Sequence, residues 1–192
     1  GCDSIIHVQL TVKPTSASTV RDTICNGSSY TLPDGSTVTA TGSYPVTLQG
    51  SNGCDSVVTT LLTVLTVNVT ATSNNLKCQG DNSGSIQAMA VGGISPYTYS
   101  LLQGGAVLST SGTGSFASLA AGSYTVSVTD SKGCSAQTTV TLTEPAALVA
   151  TATSTDITCP GEKDGTLLLQ ATGGTPAYTY VAGTSSNSSG NF

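Results

Sequence analysis

Two different repeat types lie end to end in this chain, and they limit what it can fold into. Gly1-Cys2-Asp3-Ser4-Ile5-Ile6-His7-Val8-Gln9-Leu10-Thr11-Val12 returns 52 residues later as Gly53-Cys54-Asp55-Ser56-Val57-Val58-Thr59-Thr60-Leu61-Leu62-Thr63-Val64. Cys78-Gln79-Gly80-Asp81-Asn82-Ser83-Gly84, with Gly92-Gly93 and Tyr97-Thr98-Tyr99 behind it, returns 81 residues later. That copy reads Cys159-Pro160-Gly161-Glu162-Lys163-Asp164-Gly165, then Gly173-Gly174 and Tyr178-Thr179-Tyr180. Self-similarity at a fixed period marks a chain of stacked structural units. A sequence that opens and closes inside a repeat is expected to be a window on a longer array. Function is therefore sought in what arrays do, not in one catalytic pocket.

Only 8% of the residues are charged and the net charge is −5. Counterion release on a nucleic acid and attraction to an anionic membrane both need clustered positive charge, so neither partner is expected. No apolar run of about 18 residues is present, so no membrane insertion is expected in this stretch. Any leader or anchor is expected outside it. Thr, Val and Tyr recur in alternation, which favours an all-β fold.

Six cysteines and a single histidine, with no Cys-x-x-Cys pair, point to an oxidising compartment rather than to a metal. No cofactor is expected. Cys25 and Cys54 bracket one short repeat, and Cys78 and Cys134 bracket one long repeat. The repeats thus predict the bridges Cys25–Cys54 and Cys78–Cys134. Cys2 and Cys159 belong to the two incomplete repeats and are expected to be unpaired here. A repeat of about 50 residues buries little surface, and a bridge closing about 30 residues would add roughly 3 to 4 kcal/mol.

Turn signals divide the chain further. In the short repeat, strands are expected near 28–32, 36–41, 43–49 and 55–65, separated by Pro33-Asp34-Gly35, Thr41-Gly42 and Ser51-Asn52-Gly53. That pattern reads as an antiparallel meander with Val58, Thr60, Leu62 and Val64 on one face. In the long repeat, strands are expected near 67–73, 85–91, 96–102, 105–110, 122–130 and 135–143. Ile86, Ala88, Ala90, then Tyr97 and Tyr99, then Tyr124, Val126 and Val128 alternate and are expected to be buried. Short strands at this spacing predict an immunoglobulin-like sandwich of disulfide-bonded antiparallel β modules. Glu144-Pro145-Ala146-Ala147 is the expected linker. The domain expectation is 1–14 for the last strand of an incomplete short repeat, 15–66 for a short repeat, 67–146 for a long repeat, and 147–192 for an incomplete second long repeat.

The long repeat resembles the SprB-type repeat of Bacteroidota gliding-motility and cell-surface adhesins. The marks are Cys-x-Gly-Asp-x-x-Gly-Ser at 78–85, Gly-Gly-x-x-Pro-Tyr-x-Tyr at 92–99, Leu-Ala-Ala-Gly-Ser-Tyr-Thr-Val at 119–126, Lys-Gly-Cys at 132–134 and Thr-Glu-Pro at 143–145. The second copy departs in placing Pro176 one position out of step with Pro96, so that turn is expected to differ in shape. The short repeat resembles a module of the same large proteins, through Tyr30-Thr31-Leu32-Pro33-Asp34-Gly35 and Gly53-Cys54-Asp55-Ser56-Val57. The resemblance implies very long, secreted, extracellular surface proteins, exported by the type IX pathway and used in adhesion, gliding or filaments.

Asp3-Ser4-Ile5, Asp22-Thr23-Ile24 and Asp55-Ser56-Val57 resemble the O-glycosylation motif of Bacteroidota, which makes Ser4, Thr23 and Ser56 candidate glycan sites. The alternative is that Asp-Ser simply opens a strand. Asn26, Asn68 and Asn187 stand in N-glycan sequons, which short Ser/Thr-rich stretches produce by chance. Asp81, Asn82, Glu162 and Asp164 could supply oxygens to calcium, but too few per loop for six to eight ligands. Solvated turns are the expected role. His7 has Thr59 at its place in the other copy, so no general base is expected there and no enzyme is read from this sequence.

Two functions remain. One is a structural and adhesive stalk whose partners are neighbouring repeats of the same chain or identical subunits. The other is a polysaccharide-binding module, with Tyr97, Tyr99, Tyr178 and Tyr180 as a stacking platform.

Overall fold

The computed structural model describes residues 16–50 and 54–192, all of them in strands, turns and loops. Two compact units are present: the described residues of 1–67 with 92–94 and 131–134 form one, and residues 68–91, 95–130 and 135–192 form the other. Both belong to an all-β fold.

The first unit contains β1 (Ser16–Cys25), β2 (Tyr30–Thr31), β3 (Thr37–Val38), β4 (Gly42–Gln49) and β5 (Asp55–Leu65). The β2–β3 turn forms because Pro33 presets its own φ, Gly35 takes φ +87°, and the Asp34 carboxylate accepts from the Ser36 amide and hydroxyl at 3.0 and 2.6 Å. Strands β4 and β5 are antiparallel from Gly42 opposite Leu62 to Gln49 opposite Asp55. Their alternation buries Val46, Thr60 and Leu62.

The expected meander is corrected by β1. It lies on the other side of β5 and runs parallel to it, with Ser16 opposite Ser56 and Cys25 opposite Leu65. A parallel neighbour needs a crossover, and β2, β3 and β4 make up the intervening chain. No strand was expected over all of 16–25, because the stretch from Ser16 to Asp22 is exposed throughout and carries no alternation to read.

The second unit carries the long repeats. The first supplies β6 (Val67–Asn74), β7 (Gly84–Gly92), β8 (Thr98–Gln103), β9 (Ala106–Ser111), β10 (Ser115–Leu119), β11 (Gly122–Thr129) and β12 (Ser135–Leu142). They form a three-stranded sheet in the order β10-β7-β6 and a four-stranded sheet in the order β12-β11-β8-β9. Ile86, Ala88 and Phe116 of the first sheet and Tyr99, Leu101, Tyr124, Val126, Val128 and Leu142 of the second are buried. The two sheets touch where the Ala90 amide donates to the Tyr99 hydroxyl at 3.0 Å. They touch again at Gly84, where a Cβ would stand 2.9 Å from Leu142 Cδ1 and 2.7 Å from the Leu119 carbonyl.

Six of these seven strands lie where the sequence places them. Strand β10 was not expected, because its two large apolar residues, Phe116 and Leu119, are three apart. A register shift between them, with Ser118 at φ +58°, breaks the two-residue period.

The second long repeat follows the same course with β13 (Val149–Thr155), β14 (Thr166–Thr172), β15 (Tyr180–Ala182) and β16 (Ser185–Asn187). Strands β13 and β14 are antiparallel, as are β15 and β16. The equivalence extends to backbone detail. Gly92 and Gly173 both have positive φ, and a Cβ on either would come within 2.2 Å of the Thr66 carbonyl or 1.9 Å of the Ala147 carbonyl. Thr66 and Ala147 are themselves 81 residues apart. Only glycine tolerates both the conformation and the approach.

Candidate functional site

The cysteines depart most from expectation. Cys25 is bonded to Cys134, across a sequence separation of 109 residues. The expected bridges Cys25–Cys54 and Cys78–Cys134 therefore do not form. The reason lies in strand direction. Parallel register puts Cys25 beside Leu65 at the far end of β5, whereas Cys54 directly precedes Asp55 at its near end. Ten residues of strand at about 3.3 Å each separate them by roughly 30 Å, against a usual Cα–Cα limit near 7 Å for a disulfide. Likewise Cys134 directly precedes the start of β12, while Leu76, two residues before Cys78, donates its amide to Thr143 just beyond the other end. Cys78 and Cys159 are free and exposed. Cys2, Ser4 and His7 lie outside the described residues.

The carboxylates of Asp34, Asp81 and Asp164 are consumed by their own turns. Asp81 accepts from the Ser83 amide at 3.1 Å, from the Ser83 hydroxyl at 2.8 Å and from the Cys78 amide at 3.1 Å. These bonds, the Ser83 amide first, hold its carboxyl below the ordinary carboxylate range. Asp164 is lowered by the Thr158 hydroxyl and amide, and Asp34 by Ser36 in the same way. The two long-repeat loops close with different acceptors at equivalent places. The Lys77 amide donates to the Ser83 hydroxyl, and the equivalent Thr158 amide donates to the Asp164 carboxylate. That exchange explains why the second copy carries an acid, Asp164, where the first has Ser83, whereas Asp81 and Glu162 stand at equivalent places. Among the described residues, no three His, Cys, Asp or Glu side chains gather closely enough to hold a metal.

Tyr97 and Tyr99 have ring centroids 6.5 Å apart at 59°, and Tyr178 and Tyr180 are 6.4 Å apart at 65°. Tyr99 is buried, while Tyr97, Tyr178 and Tyr180 are half-buried. The Tyr178 hydroxyl donates to the Gly173 carbonyl. With Leu148 and Ala171, Tyr178 and Tyr180 line an open cavity of about 310 Å³.

Of the candidate glycan residues, Thr23 is half-buried near the end of β1, and Ser56 is half-buried at the start of β5, its hydroxyl 2.7 Å from that of Ser16. Asn26 and Asn68 are exposed. The Asn187 amide nitrogen is bound to the Asn191 carbonyl, and its oxygen accepts from Ser189 and Gly190.

One arrangement escaped sequence reasoning. Tyr124 donates its hydroxyl to the Ala120 carbonyl at 2.9 Å, and Tyr44 donates to the Ala40 carbonyl at 2.8 Å. Both are the third residue of a strand and both follow Gly-Ser, at 42–44 and 122–124. That shared tripeptide was the available signal.

The SprB repeat family model matches residues 70–106 and 151–181. Those two segments are SprB repeats. Their matched portions cover β6 through the start of β9 in the first copy, and β13 to β15 in the second. The chain is similar to the crystal structure of a tetra-tandem repeat in the extending region of a large adhesion protein, with 16% identity and a TM-score of 0.27. The match covers 85% of this chain and 52% of that one, so this chain spans about half its length. No curated protein matches the chain.

Proposed function

We propose that this chain is a non-enzymatic structural and adhesive segment of a long, repetitive bacterial surface protein. The observation that carries this reading is the pair of SprB repeats, which repeat even their backbone close approaches at a spacing of 81 residues. Repeats that reproduce one another in such detail suit a stalk or filament, where extension comes from stacking copies. An oxidising, extracellular setting is supported by the Cys25–Cys134 bridge.

The immunoglobulin-like reading of the long repeat belongs to the same proposal. Its support is the three-plus-four division of strands and the Tyr124 corner, a feature of that sandwich class. The domain limits 15–66, 67–146 and 147–192, glycans on Ser4, Thr23 and Ser56, and export by the type IX pathway are parts of the reading that follow from the resemblance.

The test is surface labelling. Antibodies raised against the folded chain should bind intact source cells and reduce their attachment to a surface. Labelling that requires permeabilised cells would reject the reading. The rival, a polysaccharide-binding module, draws support from Tyr178 and Tyr180 lining an open cavity. Binding on a glycan array that is lost in Tyr180→Ala, with the circular dichroism spectrum unchanged, would favour it.

A further inference from the structure

The Cys25–Cys134 disulfide follows a rule that the second long repeat is equipped to obey. Cys25 stands at the trailing end of the short repeat, opposite Leu65, the last residue of β5. Its partner Cys134 stands in the 131–134 turn of the following long repeat. That turn is held against Ile94, whose carbonyl accepts from the Ser131 amide at 3.0 Å and the Ser131 hydroxyl at 2.9 Å. A cysteine at the end of one repeat thus meets a cysteine seated on the residue-94 loop of the next.

The same elements recur one repeat further on. Cys78 lies at the trailing end of the first long repeat, in a loop where Leu76 bonds Thr143 and the Gly80 amide bonds the Glu144 carboxylate at 2.7 Å. The residue equivalent to Ile94 in the second repeat is Thr175, 81 positions later. Thr175 donates its hydroxyl to the Lys77 carbonyl at 2.8 Å, next to Cys78. Cys78, Ala147, Gly174 and Thr175 line a common open cavity of about 450 Å³. The Cys78 thiol is free and exposed.

We propose that Cys78 is a linkage site, forming a disulfide with a cysteine at the position of the second SprB repeat that corresponds to Cys134. Consecutive SprB repeats would then be joined as Cys25–Cys134 joins the short repeat to the first long one. The pairing uses Cys78 and leaves Cys159, its counterpart in the second repeat, as a free thiol. The chemistry is thiol–disulfide exchange. The Cys78 thiolate attacks a disulfide oxidant and expels one thiolate. The second cysteine then attacks the mixed disulfide and expels the other. Two protein thiols are oxidised to one S–S bond, and one oxidant disulfide is reduced to two thiols. This inference rests on tandem SprB repeats and not on an adhesive role.

The experiment extends the full chain after Phe192 with the sequence of residues 117–145. Phe192 is the correct junction, because it pairs with Leu167 as Phe116 pairs with Ile86, Leu167 lying 81 residues after Ile86 and Phe192 76 residues after Phe116. The protein is equilibrated with oxidised and reduced glutathione, alkylated and mapped without reduction. The expected map has Cys78 joined to the added cysteine, Cys159 alkylated, and Cys25–Cys134 retained; Cys78→Ser should leave the added cysteine alkylated. An added cysteine joined to Cys159, or alkylated in the chain that keeps Cys78, overturns the proposal. A second variant needs no added strand to fold. Thr175→Cys in the unextended chain should be cross-linked to Cys78 by a short thiol-reactive bimane, and loss of that cross-link with Cys78→Ser should be complete. Absence of the cross-link also overturns the proposal.

Discussion

Replacing Cys25 and Cys134 together by alanine should lower the free energy of unfolding by about 3 to 5 kcal/mol. The bridge spans a sequence separation of 109 residues. Loop-entropy arithmetic gives about 4.7 kcal/mol for a loop near 100 residues, against roughly 3.5 kcal/mol for the loop of about 30 residues that Cys25–Cys54 would have closed. Residual order in the reduced, unfolded chain lowers the gain, which sets the lower end of the range. Cys134 is only 3% exposed, so loss of its sulfur also removes core contacts. The assay is equilibrium unfolding in guanidinium chloride, followed by far-UV circular dichroism and by tyrosine fluorescence, which suits a chain without tryptophan. Thiols outside the Cys25–Cys134 bridge are alkylated beforehand so that none can reshuffle it. A loss below about 1 kcal/mol, or a peptide map joining Cys25 to Cys54, would refute the reasoning from parallel register.

Thr60 is fully buried and its hydroxyl has no hydrogen-bond partner among the described residues, so Thr60→Val should raise stability by about 1 kcal/mol in the same assay; a loss of that size would contradict the assignment. Gly92→Ala should cost more than about 2 kcal/mol, since the new methyl would stand 2.2 Å from the Thr66 carbonyl at a positive φ, whereas Gly27→Ala, with open space around it, should cost only about 1 kcal/mol. Equal melting shifts for the two would argue against the close approach. Asp34, Asp81 and Asp164 have folded pKa values lowered by their turn hydrogen bonds. Their contribution is present above the unfolded carboxylate pKa and is lost as pH falls through the lower folded value, so acid should loosen these turns. NMR titration should place all three midpoints below the ordinary aspartate value, and a midpoint at or above it would refute the turn assignment.

Much of the fold was legible because β-structure writes its period into sequence. Val126 and Val128 alternate with the polar Thr125, Ser127 and Thr129, and Ile86 and Ala88, like Thr60 and Leu62, stand two apart on one strand face; each of these six residues is buried as a two-residue period requires. The SprB marks were equally direct, since Gly92-Gly93 and Gly173-Gly174 are tied to backbone conformations that few other residues adopt. Where side chains carry no alternation the reading failed. Strand β1 is exposed along most of its length, and the bulge in β10 breaks the spacing between Phe116 and Leu119.

Residue spacing by itself determined the strands other than β1 and β10, the turns, the two repeat periods and the buried faces, because each depends on contacts within a few residues or on one strand's two faces. Which cysteines meet was decided only by tertiary structure. A cysteine's neighbours depend on whether its strand runs with or against the next one, and nothing in Ser16–Cys25 encodes that direction. The parallel run of β1 along β5 carried Cys25 about 30 Å from Cys54. It left Cys25 at the end of the sheet where Cys134 could reach it.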